Sequence, residues 1–345
     1  MTEASANPPP PHKRRVRYSG KNPRRFEDKY KEHHQDNATV AKVLAAGKTP
    51  AGTHRPIMVA EILAVLAPQP GELAVDCTLG HGGHAQEILA RLAPGGRLLG
   101  LDADPLELPR TEIRLRARGF GADVFTAHRS NYAGLPQVLA AHNVSGADLI
   151  LADLGVSSMQ LDNPARGFSV KLNGPLDMRM NPQRGQSAAA WLEKVSTSEL
   201  AEVLVENSDE PHAATLAPLL AGKKIATTGD LAYLIRTALP RVAKEEVNLT
   251  VRRVFQAVRI AVNEEFSALE TWLRHLPSCL NPGGRVAVLT FHSGEDRRVK
   301  KAFAVGLQNG IYSAIAEEIL RPTPEEQRAN SRSAPAKLRW AKRNV

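Results

Sequence analysis

The stretch Asp76-Cys77-Thr78-Leu79-Gly80-His81-Gly82-Gly83-His84 sets glycines and imidazoles behind a carboxylate, directly after the short apolar run Leu73–Val75. Glycines at a strand-to-helix turn let the backbone approach a ligand closely, and the helix that follows offers unpaired N–H groups. Nucleotides, dinucleotides and S-adenosylmethionine are all held on turns of this kind. A P-loop is excluded, because no Lys-Ser/Thr follows the last glycine. A dehydrogenase fingerprint asks for GxGxxG and an acidic residue about 20 positions on. The glycine spacing is absent, while Asp102 stands 18 residues after His84. A carboxylate at that place accepts ribose hydroxyls in either cofactor class, so Asp102 does not separate NAD from S-adenosylmethionine. Asp76 leans towards the second: a carboxylate ahead of the loop can face the ammonium of a methionine moiety, and a nicotinamide brings no such cation. Asp153 closes another apolar run, Asp148–Ala152. Ligands of parallel sheets sit at the carboxyl ends of strands. Three aspartates there read as one ligand site rather than three separate helix caps.

A second cluster follows: Gln160-Leu161-Asp162, Arg166-Gly167-Phe168-Ser169 and Gly174-Pro175-Leu176-Asp177-Met178-Arg179-Met180. Loops this polar and rich in Arg and Gly rarely serve packing alone. Arg166 and Arg179 suit phosphates or a base face. Arg252, Arg253, Gln256 and Arg259 recur at helical spacing, which adds Arg253 and Arg259 as nucleic-acid contacts. His292 follows the apolar run Arg285–Thr290; a structural hydrogen bond and direct chemistry are equally open for it, and it joins the candidate RNA contacts. Cys77 and Cys279 have no metal-ligand spacing and read as small buried side chains, so no metal is expected.

These residues need a scaffold. Short apolar strands are expected at Leu73–Val75, Arg97–Leu101, Asp123–Ala127, Asp148–Ala152 and Arg285–Thr290. Helical periods lie between them at Ile57–Leu66, His84–Leu92, Pro105–Arg118 and Tyr132–His142. The alternation implies an α/β fold with a parallel, Rossmann-like sheet. It breaks after Asp153. Helices are then expected at Ser187–Lys194, Ser198–Val205, Ala213–Ala221 and Thr228–Leu239, with caps at Ser196/Thr197 and Thr227/Thr228. One long amphipathic helix is expected over Arg253–Leu276, and a turn at Asn281–Gly284. The organisation read from this is a basic arm at 1–50, a sheet domain at 51–158 and 252–345, and an all-helical insertion at 159–251.

The 345 residues carry 45 Lys and Arg against 36 Asp and Glu, a net charge of +9. The excess is terminal: residues 1–36 hold nine basic and five acidic residues, and residues 297–345 hold eleven and four. Two basic ends on a near-neutral body point to a polyanionic partner, most simply nucleic acid. No apolar run nears the roughly 20 residues of a membrane span and the N-terminus lacks a signal-peptide core, so a cytoplasmic protein without membrane contact is expected.

The segments DLGVSSMQLD (Asp153–Asp162), RGFS (Arg166–Ser169), GPLDMRM (Gly174–Met180), FQAVRIAVNEE (Phe255–Glu265) and FHSGEDRRVK (Phe291–Lys300) resemble the signature stretches of one family. It is the small-subunit ribosomal RNA methyltransferase H family, also called MraW, whose members methylate N4 of a cytidine in the decoding centre of 16S rRNA. The resemblance runs from about His54 to the C-terminus and leaves the 1–36 segment outside. It implies a Rossmann-like methyltransferase sheet with an inserted helical subdomain, and S-adenosylmethionine as cofactor. Carried over residue by residue, it implies cofactor contacts at Gly82, Gly83, His84, Asp102, Tyr132 (where the family usually has Phe), Asp153 and Gln160. Asp153 is also the catalytic candidate, orienting the amine or accepting its proton. The implied partner is 16S rRNA or the small ribosomal subunit, and a homodimer stays open. The chain departs from the family at Ser208–Pro211, Leu249-Thr250, Gly294 and Ala103, none of them an implied cofactor contact. Two other readings stand beside it: an RNA-binding assembly factor without activity, and a nucleotide-dependent oxidoreductase.

Overall fold

The computed structural model describes residues 56–345; the basic arm expected over 1–50 lies outside them. The first part of the chain alternates as expected: α1 (Val59–Leu66), β1 (Leu73–Asp76), α2 (Gly83–Leu92), β2 (Arg97–Asp102), α3 (Leu108–Ala117), β3 (Phe125–Arg129), α4 (Leu135–Ala141) and β4 (Ala147–Asp153). Five helices then precede a long one: α5 (Ser158–Asp162), α6 (Ala188–Lys194), α7 (Thr197–Ser208), α8 (Ala213–Leu220), α9 (Thr228–Ala238) and α10 (Lys244–Asn263). The chain ends with α11 (Glu265–Cys279), β5 (Leu280–Thr290), α12 (Ser293–Gln308), β6 (Tyr312–Ile315), α13 (Pro324–Ala329) and β7 (Lys337–Arg343).

The seven strands form one sheet in the order β3-β2-β1-β4-β5-β7-β6. The first five are parallel, and β7 runs antiparallel to both β5 and β6. Each central strand is buried on both faces, and alternate residues serve two different cores. Leu73, Val75, Leu99, Leu101, Ile150 and Ala152 pack on one face with Trp272 and Leu276 of α11. Ala74, Leu98, Leu149 and Leu151 pack on the other with Ile88 and Leu92 of α2. That alternation places the carboxylates. Asp76 pairs in register with Gly100 and Leu151, so Asp102 and Asp153, two residues further along their strands, share its parity. All three therefore project on the α2 side at the carboxyl end of the sheet.

The insertion has its own core, built from Phe168, Leu176, Met178, Leu192, Leu204, Leu216 and Ile235. Ser196 and Thr227 cap α7 and α9 as expected. Val247, Val251, Val254 and Val258 of α10 belong to the same core. The boundary expected between 251 and 252 thus falls inside a helix, and the insertion's packing extends past it. The single helix expected over Arg253–Leu276 is two: Glu264 takes a left-handed conformation (φ 51°) between α10 and α11. The turn expected at Asn281–Gly284 is a bulge within β5, where the pairing with β4 shifts register between Ala147 and Leu149.

The basic C-terminal stretch is largely absorbed by the fold. Lys337 and Arg339 of β7 both bind Asp296, at 3.0 and 2.6 Å, Arg297 binds Asp209 and Arg332 binds Asp162. Among the described residues no helix is long and apolar enough to cross a membrane.

Candidate functional site

The loop between β1 and α2 continues the sheet before it turns. Cys77 N–H donates to Leu151 O, and Leu79 N–H donates to Leu101 O, both at 2.8 Å. Gly80 and Gly82 then take positive φ, 49° and 77°. Helix α2 begins at Gly83 with no side-chain cap, so its first N–H groups are left for a ligand. A methyl group at Gly82 would lie 2.9 Å from the Thr111 side chain, and one at Gly83 would lie 3.0 Å from Pro56, so neither position takes a side chain without a neighbour shifting.

The three carboxylates surround this turn. Asp102 accepts the N–H of Gly80 at 2.7 Å through one oxygen and that of Asp104 at 2.8 Å through the other. Asp76 accepts the N–H of Thr78 at 3.1 Å, and the Thr78 hydroxyl in turn accepts the N–H of Asp153 at 2.6 Å. One threonine therefore ties the end of β1 to the end of β4. Burial pushes Asp76 and Asp102 up to about 6, and burial with the nearby Glu295 charge pushes Asp153 up to about 7. Three carboxyl groups, Asp76 buried and Asp102 and Asp153 half-buried, are raised mainly by desolvation, and when ionised they make a groove that favours a cation.

His84 is buried, and its Nε2 lies 2.9 Å from the Ile57 carbonyl. Gln160 is the third residue of α5 and closes a capping box: its backbone N–H donates to Ser157 Oγ, and its Oε1 accepts the Ser157 N–H at 3.0 Å. Its Nε2 donates to Asp104 at 3.0 Å. Tyr132 opens the turn after β3, its hydroxyl donating to the Glu265 carbonyl at 3.1 Å and its ring edge-on to Trp272. Gly82, Gly83, His84, Asp76, Asp102, Asp153 and Gln160 are thus gathered at the carboxyl ends of β1, β2 and β4. Tyr132 follows at the end of β3.

The arginines fare differently. Arg166 and Arg259 do not offer their charges at the surface. Arg166 is buried; it binds Asp104 at 2.7 Å and the carbonyls of Arg179 and Met180 at 3.0 and 2.9 Å. Arg259 makes a bidentate pair with Glu265, at 2.8 and 2.9 Å, across the α10–α11 break. Their expected phosphate contacts give way to roles inside the fold, because every guanidinium is already matched to acceptors in these geometries. Arg179 pairs with Asp177 at 2.8 and 2.7 Å and remains partly exposed, as does Arg253, which binds Glu246 at 3.0 Å. His292 caps α12 through Nδ1, which accepts the Glu295 N–H, and it lies against Phe266. Of the two uses open to it, the structure contains the hydrogen bond.

Two residues not singled out from the sequence matter here. Asp104 joins Gln160 and Arg166. Asn263, the last residue of α10, accepts the Met180 N–H and donates to the Met178 carbonyl, both at 2.7 Å, fixing the Gly174–Met180 loop. Asp104 carried a signal in its place two residues after Asp102; Asn263 carried none beyond its motif.

A profile of the MraW methylase family matches residues 51–344. The chain is 46% identical over 343 residues to the ribosomal RNA small subunit methyltransferase H 1 of Agathobacter rectalis, covering 96% of this chain and 98% of that one. It is 47% identical over 339 residues to the ribosomal RNA small subunit methyltransferase H 2 of Alkaliphilus metalliredigens, covering 95% and 97%. To the ribosomal RNA small subunit methyltransferase H of Halorhodospira halophila it is 41% identical over 317 residues, covering 85% of this chain and 95% of that one. Coverage of 95–96% leaves fewer residues unaligned than the 36 of the basic N-terminal segment. Part of that segment, expected to lie outside the resemblance, is therefore shared with the first two relatives.

Proposed function

The chain belongs to the MraW methylase family, and we propose that it transfers the methyl group of S-adenosylmethionine to N4 of a decoding-centre cytidine in 16S ribosomal RNA. The observation that carries the reading is the anionic groove: Asp76, buried, with Asp102 and Asp153, half-buried, all raised in pKa around a glycine turn that opens α2. That donor set fits the cofactor, which brings an ammonium and a sulfonium with an electrophilic methyl. Asp102 would take the ribose, Asp76 the ammonium, and the Gly82–His84 turn with Gln160 and Tyr132 the rest.

The cytosine amine is a poor nucleophile because its lone pair is conjugated with the ring. The protein's task is to hold it in line and to draw on its N–H. An Asp153 oxygen accepting that N–H favours a pyramidal nitrogen, and the same carboxylate takes the proton as the new C–N bond forms. Its pKa of about 7 suits it to receive a proton near neutrality. Leu154, Gly155, Ser157 and Ser158 lie next along the chain and would shape the base pocket. The base must leave its stack to enter.

Incubating the protein with labelled S-adenosylmethionine and either 30S particles or naked 16S rRNA, then mapping the labelled nucleotide, tests this. Label on cytidine N4 is expected. Label on another base, or on DNA, would overturn the substrate assignment. Calorimetric binding of NADH but not S-adenosylmethionine would favour an oxidoreductase, and cofactor binding without transfer would favour an inactive RNA-binding factor.

A further inference from the structure

Asp104 lies two residues beyond Asp102 and is 1% exposed. One of its oxygens accepts the N–H of Leu106 at 2.9 Å, which fixes the turn after β2. The other accepts two donors at once: Gln160 Nε2 at 3.0 Å and Arg166 Nη1 at 2.7 Å. Arg166 passes the constraint on, because its second nitrogen holds the carbonyls of Arg179 and Met180. A single carboxylate therefore gathers the loop after β2, the loop after β4 and the Gly174–Met180 loop.

The consequence for Gln160 follows from donor and acceptor counting. Its Oε1 is taken by the Ser157 N–H, and one Nε2 hydrogen is taken by Asp104. A flipped amide would set its carbonyl against a carboxylate and its NH2 against an N–H, losing both bonds. The amide is thus held in one orientation with one N–H left over. We propose that Asp104 is a positioning residue of the cofactor groove, acting through Gln160: it fixes the amide whose remaining N–H the cofactor uses. The proposal rests on the functional reading above, in which Gln160 contacts the cofactor.

The test compares Asp104→Asn with wild type in methyl transfer to 30S particles. Losing the anion leaves Gln160 free to turn and Arg166 buried without its partner. The KM for S-adenosylmethionine should rise about tenfold while kcat at saturating cofactor falls less than about threefold. In a Gln160→Ala background the same change should alter KM less than about twofold, since the N–H to be positioned is gone. Asp296→Asn unpairs the buried Arg339 in the same manner on β7; it should lower Tm and leave KM alone. If Asp104→Asn does not fold, Asp104→Glu reports instead: it keeps a charge beside Arg166 but displaces the acceptor of the Gln160 amide, and should raise KM in the wild-type background and not in Gln160→Ala. A wild-type KM in Asp104→Asn or Asp104→Glu despite a lowered Tm, or an undiminished effect of either change in the Gln160→Ala background, would overturn the proposal. Failure of the wild-type protein to bind S-adenosylmethionine would instead overturn the functional reading itself.

Discussion

His84 Nδ1 and Asp153 Oδ2 face each other at 3.7 Å, with the far nitrogen of the imidazole fixed on the Ile57 carbonyl. A carbonyl only accepts, so Nε2 carries the hydrogen and Nδ1 presents a lone pair to the carboxylate. Burial lowers the His84 pKa and raises that of Asp153 to about 7. The titrating proton of this pair therefore rests on Asp153 rather than on His84, and once it is released an ionised Asp153 faces a neutral imidazole.

A pH–rate profile follows from that arrangement. Asp153 must be ionised to accept the amine hydrogen, so kcat/KM for the cofactor should rise with pH through a limb near 7. Asp153→Asn should remove the limb and cost about 100-fold or more in kcat. A variant with unchanged kcat would assign Asp153 to cofactor binding alone.

Cofactor binding should itself tighten with pH. Asp76, Asp102 and Asp153 have folded pKa values of about 6, 6 and 7, above the roughly 3.9 of an unfolded aspartate. Between about pH 4 and 7 the folded state holds more protons than the unfolded one, so these groups make stability fall as pH rises. A cationic ligand binds the ionised groove and offsets the loss. The thermal shift given by S-adenosylmethionine should be larger at pH 8 than at pH 5.5, and that of S-adenosylhomocysteine, which lacks the sulfonium, should change less. Equal pH dependence for the two ligands would remove the electrostatic account.

The carboxyl ends of the strands were legible because β1, β2 and β4 each run apolar into an aspartate, and a two-residue alternation then sets the side on which it projects. Sequence could not see what neutralises a charge from a distance. Arg166 reads as a phosphate ligand until Asp104, 62 residues away, is placed against it. β7 reads as a basic tail because Lys337 and Arg339 find Asp296 only once the strand sits between β5 and β6. The break at Glu264 has no glycine or proline to announce it. It is set by the tertiary contacts of Asn263 and the Arg259–Glu265 pair, while the apolar period runs on through it.

Gly82→Ala should disable the groove more than it destabilises the fold. The left-handed backbone costs a side chain about 1–2 kcal/mol, and here the added methyl also meets Thr111 at 2.9 Å. Gly71 supplies the control, with φ 86° and open space around it. Gly71→Ala should lower Tm by a similar strain and leave cofactor affinity unchanged, whereas Gly82→Ala should weaken it more than about tenfold. Equal affinities in the two variants would show that the loop tolerates the displacement.

Arg259 and Arg253 lie six residues apart on α10 and should respond in opposite ways. Arg259 is half-buried, and desolvation alone would lower its pKa, but the Glu265 carboxylate outweighs this and raises it. Truncating it strands Glu265 in the protein interior, a loss of about 3–5 kcal/mol for a broken buried pair. Arg259→Ala should therefore depress Tm sharply. Binding of 16S rRNA by the protein that remains folded should keep its salt dependence. Arg253 is partly exposed and its partner Glu246 more so, so Arg253→Ala should leave Tm nearly unchanged. If it meets the RNA backbone, the slope of log K against log salt should fall by about 1. An unchanged slope would remove Arg253 from the interface, and a reduced slope in Arg259→Ala would return Arg259 to it.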